Sequence, residues 1–198
     1  MARLLRLSAL PLLILGPALL SLANTMYFSV GFPPIETLAP DTSSFPSGWI
    51  ALDPETDFPP LAPCSLGRPE VELLRRTYYD DAHPGAAAIH FVIQRYRTER
   101  AASEQFESAA SVALRDAEWN TGWAVPDRFN FESLYADRDV YGCTTEYART
   151  LCNHVSLYGV YVVELHAGFS PPSSFQFADL LPVYKDIDDR LAAVVDLR

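Results

Sequence analysis

Asn153-His154-Val155-Ser156-Leu157-Tyr158-Gly159-Val160-Tyr161-Val162-Val163-Glu164-Leu165-His166 is the stretch that decides the fold class. β-branched and aromatic residues dominate it and no proline interrupts it, so it reads as the strongest strand of the chain. On a period of two, Val155, Leu157, Tyr161, Val163 and Leu165 face one way. His154, Ser156, Tyr158, Val160, Val162 and Glu164 face the other, with Gly159 as a bulge.

Upstream, Ala87, Ile89, Phe91 and Ile93 alternate with Ala88, His90, Val92 and Gln94, a second strand with one apolar stripe. Val71 to Asp80 is open between helix and strand, but Tyr78-Tyr79-Asp80-Asp81-Ala82-His83-Pro84-Gly85 carries turn chemistry entered from a strand. Thr98 is placed to cap a helix that runs to about Leu114, burying Ala102, Phe106, Ala109, Ala110 and Ala113. A loop with Trp119 and Trp123 follows, then a strand around Phe131 to Tyr141. After Pro171-Pro172 a final helix, with Pro182 near its first turn, buries Leu180, Val183, Tyr184, Ile187, Leu191, Val194 and Val195. Its wet side carries Asp186, Asp188, Asp189 and Arg190. The order β-β-α-β-β-α, without alternating parallel units, predicts an α+β domain over residues 70–198: an antiparallel β-sheet with two helices packed on one face.

Two segments precede it. Residues 31–69 hold Pro33, Pro34, Pro40, Pro46, Pro54, Pro59, Pro60, Pro63 and Pro69, too many for a long helix or a central strand. Ile35, Phe45, Trp49, Ile50, Leu52 and Phe58 are too many apolar residues for a free linker, so this is a proline-rich extended arm lying on its own domain or on a partner.

Residues 1–30 hold Arg3, Arg6 and a charge-free apolar run from Leu7 to Ala23. One reading is a signal peptide cut after Ser21-Leu22-Ala23. The other is an uncleaved N-terminal apolar helix reaching Val30, roughly 36 Å at 1.5 Å per residue, long enough for the ~30 Å hydrocarbon core. Retention as a signal anchor is the preferred expectation. Either way Arg3 and Arg6 stay cytoplasmic and the remainder is delivered outside.

The chain's formal charge is −10, and the first 23 residues carry two arginines and no acid, so the exported part is more acidic still. Nucleic acid is disfavoured as a partner, since phosphate binding needs clustered Lys and Arg and the chain has a single lysine, Lys185. Cys143 and Cys152 bracket a short segment and fit a hairpin disulfide in an oxidising compartment, stabilising by roughly 2.5–3 kcal/mol on the chain-entropy estimate. No C-x-x-C motif accompanies them, and Cys64 is left without an assigned role.

Motifs for chemistry are sparse. Of His83, His90, His154 and His166, the last two lie roughly 40 Å apart if their strand is straight, so they cannot share an ion. His90, Glu164 and His166 form a conceivable cluster, for which a solvent-facing polar sheet surface is the preferred reading. Asp53-Pro54-Glu55-Thr56-Asp57 fails as a calcium loop because Phe58 and Cys64 stand where glycine and the closing glutamate are needed. Gly168-Phe169-Ser170-Pro171-Pro172 is not a nucleophile elbow. Asp80-Asp81 and Asp186, Asp188 and Asp189 read as solvated charge rather than paired glycosidase carboxylates.

No catalytic residue, cofactor or metal ligand is therefore assigned. Trp49, Trp119, Trp123, Tyr78 and Tyr79 are the candidate ligand or partner contacts. The element order resembles small extracytoplasmic α+β domains that serve as sensor or lipoprotein modules in bacteria, a resemblance of fold that implies no activity. The expectation is a membrane-anchored, periplasmic accessory module, held through residues 4–30, whose partners are other subunits of a membrane complex. The alternative is a freely exported domain that binds or hydrolyses sugar or peptide with loop aromatics and carboxylates.

Overall fold

The quoted stretch folds into two strands. Tyr158 and Tyr161 pair with each other, and Gly159, at φ 58°, opens the two-residue turn between them. A lone left-handed glycine at the first central position is the signature of a type II′ hairpin turn, whose twist matches that of paired strands. The computed structural model describes residues 32–57, 70–113, 124, 131–173 and 175–195. The apolar run from Leu7 to Ala23, Cys64, Trp119 and Trp123 lie outside them.

Among the described residues, seven antiparallel strands form one sheet: β1 (Trp49–Ala51), β2 (Glu55–Asp57), β3 (Glu70–Asp80), β4 (Ala87–Tyr96), β5 (Arg138–Glu146), β6 (Arg149–Tyr158) and β7 (Tyr161–Phe169). Their order is β1-β3-β4-β7-β6-β5, with β2 pairing further along the outer edge of β3. Helix α1 spans Glu99–Ala113 and α2 spans Leu181–Val195. The strand expected around Phe131 begins only at Arg138. Residues 131–137 form an irregular segment whose amides bond to side chains, Leu134 to Asp188 at 3.0 Å and Ala136 to Ser133 at 2.8 Å.

The hairpin corrects the face assignment. In a straight strand residues 158 and 161 point to opposite faces, whereas across a two-residue turn they share one. His154, Ser156 and Tyr158 therefore lie with Tyr161, Val163 and Leu165, while Val155 and Leu157 lie with Val162 and Glu164. Near the turn both faces of β6 and β7 are then apolar, and each needs cover. Helix α1 packs Ala102, Phe106 and Ala109 against Val155, Leu157 and Val162 on one side. Helix α2 packs Val183, Tyr184, Ile187, Leu191 and Val194 into the larger core with Ile89, Phe91, Ile93, Val163 and Leu165 on the other. The expectation of both helices on one face is thereby overturned.

Local signals place the helices as the sequence indicates. Thr98 caps α1, its Oγ1 accepting from the Ala101 amide at 3.2 Å. Alternation in β4 is carried through, with Ala87, Ile89, Phe91 and Ile93 buried. Ile89, Phe91 and Ile93 each contribute about 1.5–3 kcal/mol by burial. Residues 34–57 of the proline-rich arm belong to the same compact unit as the sheet. Ile35, Leu38, Phe45 and Trp49 enter the α2-side core, and Asp186 of α2 binds the arm through the Asp41 amide at 2.7 Å and the Ser44 hydroxyl at 2.6 Å.

Asp188 departs from the wet side assigned to it. Only 4% exposed, it accepts from Ser133 Oγ, the Leu134 amide at 3.0 Å and Tyr158 Oη at 3.1 Å. A buried carboxylate is tolerated because hydrogen-bond donors replace its water.

Candidate functional site

Among the described residues, helix α1 covers the part of its face around Val155, Leu157 and Val162. Beyond it the strand register lays out a lattice of side chains. One row runs Thr77, His90, His166, Asn153 across β3, β4, β7 and β6, and the row beside it runs Arg75, Val92, Glu164, Val155. Val155 marks the margin of the α1 contact, and the rest is open to different degrees: Arg75 and His90 are exposed, Thr77, Val92, Asn153, Glu164 and His166 half-buried.

Hydrogen bonds hold this polar row in place. His90 Nδ1 lies 3.0 Å from Thr77 Oγ1. His166 is gripped from both sides, its Nδ1 2.9 Å from Asn153 Oδ1 and its Nε2 3.3 Å from Glu164 Oε2. At the far end the exposed Arg149 guanidinium lies against Gly168, where a Cβ would stand 2.7 Å from Nη2, so a larger residue there would displace the arginine side chain. The other end opens into a cleft of 220 Å³ between β3–β4 and the segment after β1, bordered by Leu52, Asp53, Glu55, Arg75, Thr77, His90 and Val92.

The hairpin also changes the relation between two histidines. His154 and His166 are not separated by the length of a strand. Each is paired with the other's neighbour, His154 with Leu165 and His166 with Asn153. What separates them is the sheet itself, His154 facing the α2 core and His166 the open strip. The conceivable grouping of His90, Glu164 and His166 does share one face. Among the described residues, however, no three His, Cys, Asp or Glu side chains are arranged to hold a metal ion.

The strongest resemblance to a catalytic relay lies in the core. Ser156 Oγ is 3.0 Å from His154 Nε2, and Asp139 Oδ2 is 3.8 Å from that same nitrogen. A relay needs the carboxylate on the ring's other nitrogen and the hydroxyl at a surface. Here both partners meet Nε2, Ser156 is fully buried, and His154 is packed edge-on against Tyr184 at 4.5 Å. The group is a packed polar insert, not a nucleophile. Asp80 is equally occupied, its carboxylate bonding the Ala82 amide at 3.0 Å and His83 at 3.0 Å within a turn.

Of the candidate contacts, Trp49 is 8% exposed and packs between Phe45, stacked at 5.6 Å, and Phe175, tilted at 4.7 Å between centroids. Tyr78 is fully buried and donates to the Pro40 carbonyl at 2.7 Å, and burial pushes its phenol up to about 12. Both are core side chains that clamp the arm. Tyr79, half-buried, projects from the opposite face at the margin of the open strip. Cys143 and Cys152 form the expected disulfide, S–S 2.06 Å, between paired positions of β5 and β6. The sequence reading passed over Arg75, Thr77 and Asn153. Their signal was parity: in β3, Arg75, Thr77 and Tyr79 alternate with Leu74 and Tyr78, whose side chains are buried.

No protein-family model matches the chain, and no curated protein matches it. Among solved structures it is similar to the crystal structure of the extracellular domain of PknH from Mycobacterium tuberculosis. The sequence identity is 11% and the TM-score 0.49, covering 82% of this chain and 95% of that one.

Proposed function

We propose that the chain is an extracytoplasmic binding module, tethered at the membrane by residues 4–30, that recognises a protein subunit of a membrane complex with the open half of its sheet. The observation that carries this reading is the strip itself. Thr77, His90, His166, Asn153 and Glu164 are hydrogen-bonded into fixed positions on a rigid sheet, and the adjacent half of that face is covered by α1. Preorganised polar side chains on regular elements bind with less ordering cost than loops do.

The Cys143–Cys152 disulfide supports the compartment, since such bonds persist where the medium is oxidising. Among the described residues no helix is long and apolar enough to cross a membrane, so the tether rests on the apolar run from Leu7 to Ala23.

A photo-crosslinking side chain placed at position 90 of the full chain, and separately at exposed Lys185 on α2, tests the surface. A discrete adduct from position 90 and none from 185 is the expected result. Equal adducts from both, or none from 90, overturn the reading. Recovery of the chain in alkali-washed membranes tests the tether, and an N-terminus at Asn24 replaces it with a freely exported module carrying the same surface.

A further inference from the structure

We propose that the cleft at the β2 end of the open strip binds a small zwitterion, an α-amino acid with an apolar side chain. This deepens the reading of the strip as a recognition surface and rests on it.

The floor is a rectangle of four paired residues, Arg75 opposite Val92 and Thr77 opposite His90. The wall is Leu52, Asp53 and Glu55, pinned to the floor by the Leu52 amide, which donates to the Thr77 carbonyl at 2.9 Å, and by the register of Glu55 with Arg75. At 220 Å³ the cleft falls below the ~300–1,000 Å³ of sites for drug-sized ligands and suits a metabolite of amino-acid size.

Its charges select the ligand class. Arg75 supplies a guanidinium, and Asp53 and Glu55 supply carboxylates, all three exposed. Although Glu55 stands opposite Arg75 in the ladder, no ion pair joins Arg75 to either carboxylate among the described residues. Both signs of charge thus border one cleft without a direct ion pair between them. A ligand of one sign would leave the other sign facing it, whereas a zwitterion satisfies both. The planar guanidinium takes the ligand carboxylate through two parallel hydrogen bonds, and Asp53 and Glu55 accept from its ammonium. Leu52 and the half-buried Val92 offer apolar surface to its side chain.

Calorimetric titration of the full chain in mild detergent with leucine, N-acetyl-leucine and leucinamide tests this. Saturable binding of leucine is expected, with about tenfold weaker binding of each capped analogue, the loss that follows removal of one charge-assisted contact. In Arg75→Gln the preference for leucine over leucinamide disappears. In Asp53→Asn combined with Glu55→Gln the preference over N-acetyl-leucine disappears. No saturable binding of leucine, or equal binding of all three compounds, overturns the proposal, and that series needs no variant to fold. Crosslinking from position 90 without leucine binding defeats this inference alone. Leucine binding without a crosslink defeats the protein-partner reading alone.

Discussion

Tyr158 and Tyr161 stand directly opposite each other across the Gly159-Val160 turn, and both are buried on the α2 face of the sheet. That pairing sets the parity of every residue on either side of it. It sends Val155, Leu157 and Val162 to α1, and it leaves His166 and Asn153 on the open strip. Gly159 makes it possible, and the Asp137 carboxylate holds the turn by accepting from the Gly159 amide at 2.6 Å.

Gly159→Ala is therefore expected to destabilise the protein by about 1–2 kcal/mol, the cost of placing a Cβ in the left-handed region. Urea unfolding checks this: the midpoint falls while the slope stays unchanged.

The β5–β6 turn behaves in the opposite sense. Tyr147 and Ala148 hold φ of 47° and 64°, and Tyr147 is completely exposed, so no packing offsets the strain. Ala148→Gly is expected to stabilise by about 0.5–1 kcal/mol, left-handed strain relieved less the freedom glycine adds to the unfolded chain. A thermal melt that drops on this substitution would count against a strained turn.

Replacing Cys143 and Cys152 together by alanine reopens a hairpin loop and is expected to lower stability by roughly 2.5–3 kcal/mol. The unsubstituted protein, reduced before unfolding, should fall to the same level. If reduction leaves the unfolding midpoint unmoved, the bond contributes nothing to stability.

Glu72 and Arg95 make a half-sheltered ion pair at 2.8 Å. Burial raises the Glu72 carboxyl, and the Arg95 charge only partly counters it. A folded-state value raised above the ordinary 4.5 means that the group favours folding below 4.5 and that this contribution is lost as pH rises through the folded value. Glu72→Gln should therefore compare least well with the wild type in acid and better at neutral pH. Arg95→Met should cost more at neutral pH, about 2 kcal/mol, because it strands the carboxylate. Guanidinium melts of both variants at two pH values decide the order.

Asp188→Asn keeps the shape of the side chain but removes one oxygen acceptor from a site that serves Ser133, Leu134 and Tyr158. A loss of about 2 kcal/mol is expected. Faster hydrogen exchange at the Leu134 amide should accompany it; an unchanged exchange rate there would mean that the carboxylate does not hold residues 131–137.

Much of this was legible from local pattern. Ile89, Phe91 and Ile93 announce a half-buried strand, Thr98 announces a helix start, and Val183, Ile187, Leu191 and Val194 announce the buried stripe of α2, because neighbours in sequence carry these signals. Asp188 was not legible, since a carboxylate on a helix reads as wet until Ser133 and Tyr158 are brought to it from other elements.

By itself the sequence determined an α+β chain with antiparallel strands, two amphipathic helices, a disulfide between Cys143 and Cys152, and an acidic body behind an apolar N-terminal run. Only the tertiary structure decided that one long apolar run is a hairpin, that the helices lie on opposite faces, and that Thr77, His90, His166 and Asn153 share a row. The physical reason is that a period-two pattern continues in composition through a two-residue turn while the faces exchange. Which residues meet across strands is set by register, and register is fixed by pairing between segments far apart in the chain.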